Sequence, residues 1–128
     1  MQEAFPTEVS GSPDNLLDQV RILLRFSDPS TAGVWPRAAA LLARQALESG
    51  LGELWQRRAP SVEHCSLRAQ LLCLRSYIDG DTAERAAHTW GVLSRACHHH
   101  PYELGPTAGE LRSWVEDTQR VVDACKDG

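Results

Sequence analysis

The segment RAAALLARQALESGLGELWQRR, residues 37–58, decides the fold class. It is rich in Ala, Leu, Arg, Gln and Glu, all of which are strong helix formers. Gly50 and Gly52 weaken its middle and indicate either a bend or a close helix crossing. The apolar side chains that keep a helical period along it are Ala40, Leu47, Leu51, Leu54 and Trp55.

One further helix is predicted on each side of this segment. Ser12-Pro13-Asp14 combines an N-cap serine, a first-turn proline and an acid near the positive helix end. The helix that begins there should end near Ser27-Asp28-Pro29. After residue 58, Ala59-Pro60-Ser61 ends the long helix, and Ser61 is expected to cap a third helix. The apolar positions of that third helix are Leu67, Leu71, Leu74 and Ile78.

Two capping boxes predict the last helices. Asp81-Thr-Ala-Glu84 places an N-cap oxygen three residues before an acid, and Thr107-Ala-Gly-Glu110 repeats that spacing. The fourth helix should end at His100, because Pro101 disfavours helical geometry in the residue before it. The fourth helix carries Ala86, Trp90, Leu93 and Cys97, and the fifth carries Leu111, Trp114, Val115, Thr118, Val122 and Cys125.

These patterns predict an all-α protein, an up-and-down bundle of about five helices. No segment shows sustained alternation of apolar and polar residues, so no strand is expected. Residues 1–11 are polar and mixed, and are expected to form a flexible N-terminus before a single helical-bundle domain at residues 12–128. The four tryptophans stand at helical spacing and are interpreted as core residues rather than as a platform for stacked bases.

Composition limits the functions open to the chain. Its 128 residues carry a net charge of −4, which argues against broad nonspecific DNA binding but leaves room for a small basic site. No signal peptide and no apolar run of about 18 residues is visible. A cytoplasmic protein with free thiols is therefore expected, although a disulfide pair stays open. No zinc-ligand spacing and no cofactor motif occurs, so neither a metal nor a cofactor is predicted.

The stretch Arg95-Ala-Cys-His-His-His-Pro-Tyr102 holds the chemistry-bearing side chains. Arg95 lies about 200° around the helix from Leu93, so it should leave the core face. His99 follows one turn later on the same face, whereas Pro101 frees the backbone at His100. Arginine, histidine and tyrosine together suit work on phosphates.

The spacing of Arg95, His100 and Tyr102 resembles the motif of the HEPN superfamily, small helical bundles with an Arg-x4-6-His signature late in the chain. The position matches as well, because the motif ends the fourth helix and a capped fifth helix follows. The segment from Trp90 to Leu104 also resembles actinobacterial members. The general resemblance covers about residues 36–125.

The resemblance implies metal-independent RNA cleavage by a homodimer. Arg95 would hold the scissile phosphate, and His100 would act as general base or acid, with His99 as the alternative histidine. Some members are toxins paired with a nucleotidyltransferase, which modifies the tyrosine of His-x-Tyr, here Tyr102. Many active members have a polar residue after the arginine, whereas this chain has Ala96, so the alternative is a non-catalytic nucleotide- or protein-binding module.

Structural roles also remain open for the same residues. Arg95 is an ordinary candidate for a surface ion pair, and the histidines for a polar helix end that favours positive charge. Tyr102 is a candidate packing residue beneath a loop. The sequence therefore predicts where a site would lie and leaves its activity undecided.

Overall fold

The computed structural model of the chain describes residues 12–25, 35–98 and 105–128. The predicted all-α fold class is confirmed: these residues form five α-helices, one short 3₁₀ helix and no strand. The helices are α1 (Pro13–Arg25), α2 (Trp35–Arg58), α3 (Leu67–Leu74), α4 (Gly80–Cys97) and α5 (Ala108–Asp127), with the 3₁₀ helix at Pro60–His64.

The long helix α2 is the centre of the bundle, because it packs against α1, α4 and α5. Its direction relative to α4 follows from the Trp90 indole, which donates to Glu48, and from Cys97, which lies near Arg37 and Arg44. Residues later in α4 therefore contact residues earlier in α2. The two helices are antiparallel.

The helix α5 runs parallel to α2 and antiparallel to α1. The Arg57 guanidinium at the end of α2 donates to the carbonyl oxygen of Cys125, near the end of α5. Lys126 at that same end pairs with Asp14 at the start of α1, and Arg112 donates to the Leu24 carbonyl at the other end of α1. The four longer helices therefore alternate in direction, as an up-and-down bundle requires.

Of the two glycines in α2, Gly50 is the one that lies close to α5. A Cβ atom on Gly50 would stand 3.1 Å from Val122 Cγ2, whereas one on Gly52 would have its nearest neighbour, Glu63 Oε2, at 3.7 Å. The α2 helix continues through both glycines. The sequence predicted either a bend or a close helix crossing at these glycines, and a close crossing is confirmed at Gly50.

The core consists of two clusters stacked along α2. The first joins α1, the first half of α2 and the adjoining ends of α4 and α5, and it is centred on Leu17, Ala43, Leu93 and Val115. The second joins the rest of α2 to α3, the start of α4 and the end of α5, around Leu51, Trp55, Leu74 and Cys125. Because apolar burial is the main favourable term in folding, these clusters hold the bundle together.

Only one of the four tryptophans is fully buried. Trp55 is completely shielded from solvent, and its indole N–H donates to Gln70 Oε1 at 3.0 Å. Trp35, Trp90 and Trp114 are partly buried against the two clusters. The interpretation of tryptophan as core is confirmed for Trp55, while the other three lie at the edges of the bundle.

Two helix starts differ from the sequence prediction. Ser61 does not cap α3: it lies within the 3₁₀ helix, and Ser66 is the N-cap, accepting from the Ala69 amide at 3.2 Å. The cap of α4 is Asp79 rather than Asp81, since the Asp79 carboxylate accepts from the Thr82 amide at 3.0 Å. Both errors arose because several residues in each turn are capable of capping.

Two helix ends also differ, while the start of α5 agrees. Ile78 follows α3 in a turn, because that helix ends at Leu74. The helix α4 ends at Cys97 with His98 as its C-cap, earlier than the predicted end at His100. At α5 the predicted capping box of Thr107 and Glu110 is confirmed in both of its hydrogen bonds.

Candidate functional site

Arg95 is the one residue of the predicted Arg-His-Tyr set whose position is described. Its side chain is exposed on the last turn of α4, as helix phase predicted. His99, His100 and Tyr102 lie outside the described residues, so their predicted roles stay predictions. The structure therefore fixes one end of the candidate site and leaves the remainder to the sequence.

The Arg95 guanidinium lies back along the helix over Gly91. Its Nη1 atom is 3.8 Å from the point at which a Cβ atom on Gly91 would stand. No carboxylate of residues 12–25, 35–98 and 105–128 forms an ion pair with it. Within that part of the chain, the ion-pair alternative for Arg95 finds no support, and its charge faces solvent.

The neighbouring end of α2 is also rich in arginine. Burial raises the pKa of the Cys97 thiol, while the positive charges of Arg44 and Arg37 act to lower it. Both arginines therefore lie close enough to influence the end of α4. Arg44 also forms an ion pair with Glu48 at 3.6 Å. The negative charge of Glu48 acts against the two arginines by raising the pKa of Cys97, so it offsets part of the positive charge at this end of the bundle.

His98 and Cys97 have structural positions at the end of α4. The His98 amide donates to the Arg95 carbonyl at 3.1 Å, and its imidazole is exposed one turn beyond the Arg95 side chain. Cys97 is half-buried, and its raised pKa keeps the thiol protonated near neutral pH. All four cysteines are free, so the alternative of a disulfide is not supported.

Ala96 packs into the first core cluster and is only 7% exposed. It belongs to the buried face of α4, which is centred on Ala86, Thr89, Leu93 and Ala96 rather than on the predicted Trp90 and Cys97. A polar side chain at position 96 would point toward this core from α4. The departure from the family pattern noted in the sequence therefore falls on a packing position.

A groove beside Arg95 was not predicted from the sequence. It has a volume of about 310 Å³ and lies between α3 and α4. Leu72 on its rim is 70% exposed. Its lining residues are Arg68, Leu71, Leu72, Ala87, Trp90 and Gly91. The available signals were Leu72, an apolar residue off the core stripe, and Gly91, a glycine inside a helix that no cap or turn explains.

Two further features of the described residues concern metal ligands and membrane-spanning helices. Groups of three or more His, Cys, Asp or Glu side chains placed to hold a metal ion do not occur among them. None of the helices described is both long enough and apolar enough to cross a membrane.

Comparisons with protein-family models, curated proteins and solved structures found no match to this chain. Any statement of function therefore depends on the residues themselves and on the resemblance of the Arg-His-Tyr spacing.

Proposed function

We propose that the end of α4 is the active site of a metal-independent ribonuclease of the HEPN type. The observation that carries the proposal is the position of Arg95, exposed on the last turn of α4 and three positions before the start of the His98-His99-His100 run. Its guanidinium has no carboxylate partner in the described part of the chain. An unpaired guanidinium is suited to bind a phosphate with two parallel hydrogen bonds.

The proposed reaction uses the neighbouring ribose as the nucleophile. His100 removes the proton from the 2′-hydroxyl, whose oxygen then bonds to the adjacent phosphorus. The bond from phosphorus to the 5′-oxygen breaks, and that oxygen takes a proton from a second acid, for which His99 is the nearest candidate in sequence. Arg95 stabilises the negative charge that develops on the phosphate oxygens. The products are a 2′,3′-cyclic phosphate and a 5′-hydroxyl.

The test is cleavage of a single-stranded RNA by the purified chain in the presence of EDTA. We expect products with 2′,3′-cyclic phosphate ends, and a rate lowered on the order of 100-fold or more by His100→Ala. His98→Ala is the matched control, because His98 is an exposed histidine in the same run and caps the helix through its backbone. Absence of cleavage by the unmodified chain, or equal rates for the two variants, contradicts the proposal.

The resemblance also supports a homodimer in which two copies of the Arg95–His100 segment face one shared RNA. Static light scattering at micromolar concentration tests this part separately, and a dimer is the expected result. If the chain is a strict monomer and still cleaves RNA, the shared site is excluded and each copy carries out the reaction alone.

Tyr102 is proposed as the acceptor of a nucleotide group from a nucleotidyltransferase partner, as in the toxin–antitoxin members of the family. If the adjacent gene encodes a nucleotidyltransferase, incubation with that enzyme and with nucleoside triphosphate should add the mass of a nucleotide and stop cleavage. Tyr102→Phe should prevent both effects. Modification that persists in Tyr102→Phe would place the acceptor elsewhere.

A second candidate function is nucleotide or protein binding without turnover. Ala96 favours it, because the residue after Arg95 is buried among apolar side chains and supplies no polar group to a substrate. This alternative predicts binding of RNA that depends on Arg95 with no strand scission under any condition. Hydrolysis that depends on Arg95 and His100 excludes it.

A further inference from the structure

The groove between α3 and α4 is formed by one face of each helix. Arg68, Leu71 and Leu72 from α3 stand opposite Ala87, Trp90 and Gly91 from α4. On both helices these positions follow the i, i+3, i+4 spacing of neighbours on one surface. The walls are therefore mainly apolar, and an occupant would meet leucine, alanine and indole surface.

The depth of the groove depends on Gly91, which contributes no side chain. The nearest side-chain atom to a Cβ built there is Arg95 Nη1 at 3.8 Å, so the space above this glycine is bounded by a guanidinium rather than by apolar packing. The indole N–H of Trp90 donates to Glu48 at 3.0 Å, on the side of α4 that faces α2. That hydrogen bond fixes the orientation of the ring whose other parts line the groove.

Two positive charges border this apolar space. Arg68 is one of the lining residues, and Arg95 lies over Gly91, which also lines the groove. None of the lining residues is acidic. An occupant that is complementary to this surface combines an apolar body with a negative charge.

The length of the groove decides between a peptide helix and a smaller ligand. The lining positions span residues 68–72 and 87–91, four residue steps on each helix, or about 6 Å at 1.5 Å per residue. An amphipathic helix anchors through side chains at i, i+4 and i+7, which span more than 10 Å on the same scale. One nucleobase, in contrast, matches a slot of a single helical turn.

We infer that this groove binds the base of the nucleotide whose phosphate is held by Arg95. The base lies against Trp90 and Leu72 in the space that Gly91 leaves open, and Arg68 contributes a second contact to the nucleotide's phosphate. The inference deepens the proposed ribonuclease function and rests on it for the role of Arg95 in phosphate binding. It adds a subsite for the base, which the catalytic residues themselves do not provide.

The direct test is a titration of the ¹⁵N-labelled full chain with adenosine monophosphate, followed by two-dimensional NMR. We expect the amides of Leu72 and Gly91 and the Trp90 indole N–H to shift together with one dissociation constant. Adenosine alone should shift the same signals more weakly, and inorganic phosphate should leave Leu72 unchanged. Equal binding of phosphate and adenosine monophosphate, or no shift at these residues at millimolar nucleotide, overturns the inference.

Two pairs of variants place the ligand within the groove. Leu72→Ala should lower the affinity for adenosine monophosphate on the order of threefold to tenfold, because it removes one apolar wall of the groove. Ile22→Ala, which truncates another half-exposed residue on α1, should have no effect. Gly91→Leu fills the groove and should abolish binding. Gly52→Leu places the same side chain on α2, outside the groove, and should leave binding unchanged. The amide spectrum of each variant reports whether it is folded, and Leu72 is exposed enough to be truncated without loss of the fold.

Failure of this inference is distinguishable from failure of the proposed function. If nucleotide shifts the groove signals but RNA is never cleaved, the base subsite stands and the ribonuclease proposal fails. If RNA is cleaved in an Arg95-dependent manner with equal rates for wild type, Leu72→Ala and Gly91→Leu, the base subsite is excluded. If an acidic amphipathic peptide binds the groove and adenosine monophosphate does not, the occupant is a protein and the inference is overturned.

Discussion

Arg95 Nη1 lies 3.8 Å from the position that a Cβ atom on Gly91 would occupy, one helical turn earlier on α4. The arginine thus covers the one position of this face that has no side chain. Glycine inside a helix is less favourable than alanine by about 1 kcal/mol. A glycine at position 91 therefore costs helix stability and lets the guanidinium lie over the helix beside the groove.

Gly91→Ala should separate stability from ligand binding. A Cβ atom meets no atom closer than 3.8 Å, so the free energy of unfolding should rise by about 0.5–1 kcal/mol in urea denaturation. The added methyl group narrows the groove, so affinity for adenosine monophosphate should fall. A variant that gains stability and also keeps full affinity would show that the groove is not the nucleotide site.

Gly50 and Gly52 form a matched pair for the crossing of α2 and α5. Gly52→Ala should stabilise the chain by about 0.5–1 kcal/mol, because its Cβ would have ordinary contacts. Gly50→Ala places a Cβ 3.1 Å from Val122 Cγ2, so Val122 must move. We expect Gly50→Ala to be less stable than Gly52→Ala in urea denaturation. Equal gains at both positions would contradict the close approach.

Gln70 joins α2, α3 and the 3₁₀ helix through one buried and two partly buried hydrogen bonds. It accepts from the Trp55 indole at 3.0 Å and donates to the carbonyls of Glu63 at 3.2 Å and Cys65 at 2.9 Å. Gln70→Ala leaves these groups without a partner, which should lower the free energy of unfolding by about 2 kcal/mol or more. Gln45→Ala, at an exposed position of α2, is the control and should be nearly neutral. A small effect at Gln70 would mean that water replaces its bonds.

Cys125 should make the fold sensitive to alkali. Burial raises the pKa of its thiol from 9.0 to about 11, although Arg57 acts in the opposite direction. The folded state thus favours the neutral thiol, so this contribution to stability is complete below pH 9 and is lost as the pH rises through about 11. Denaturation at a series of pH values should show this loss in the wild type and a smaller one in Cys125→Ala. Cys73→Ala, which removes an exposed thiol, is the control and should lose as much stability at alkaline pH as the wild type does.

The fold class was predictable because each long helix carries a periodic apolar stripe and at least one clear boundary. At the start of α5, Thr107 directly follows the Gly105-Pro106 break and stands three residues before Glu110, and the prediction was correct there. At α4, Asp79 and Asp81 were both able to cap, and the choice depends on how the preceding turn leaves α3. Local sequence does not contain that information, because it is determined by packing between helices.

The candidate site was predictable only in part, for the same reason. Helix phase was sufficient to place Arg95 on the exposed face of α4. The groove needs α3 and α4 to be side by side, and no local pattern brings Leu72 toward Trp90. The burial of Ala96 likewise follows from the packing of α2 and α5 against α4 and from its place in the first core cluster. Contacts between distant segments thus supplied what the motif did not.

The measurement that tests the central claim most directly is the rate of RNA cleavage in EDTA by Arg95→Ala relative to Arg75→Ala. Both arginines are exposed near helix ends, but Arg75 follows α3 and does not line the groove. The account predicts a rate about 100-fold to 1,000-fold lower for Arg95→Ala, the usual effect of removing a group that stabilises developing charge, and an unchanged rate for Arg75→Ala. Equal rates for the two variants would contradict it.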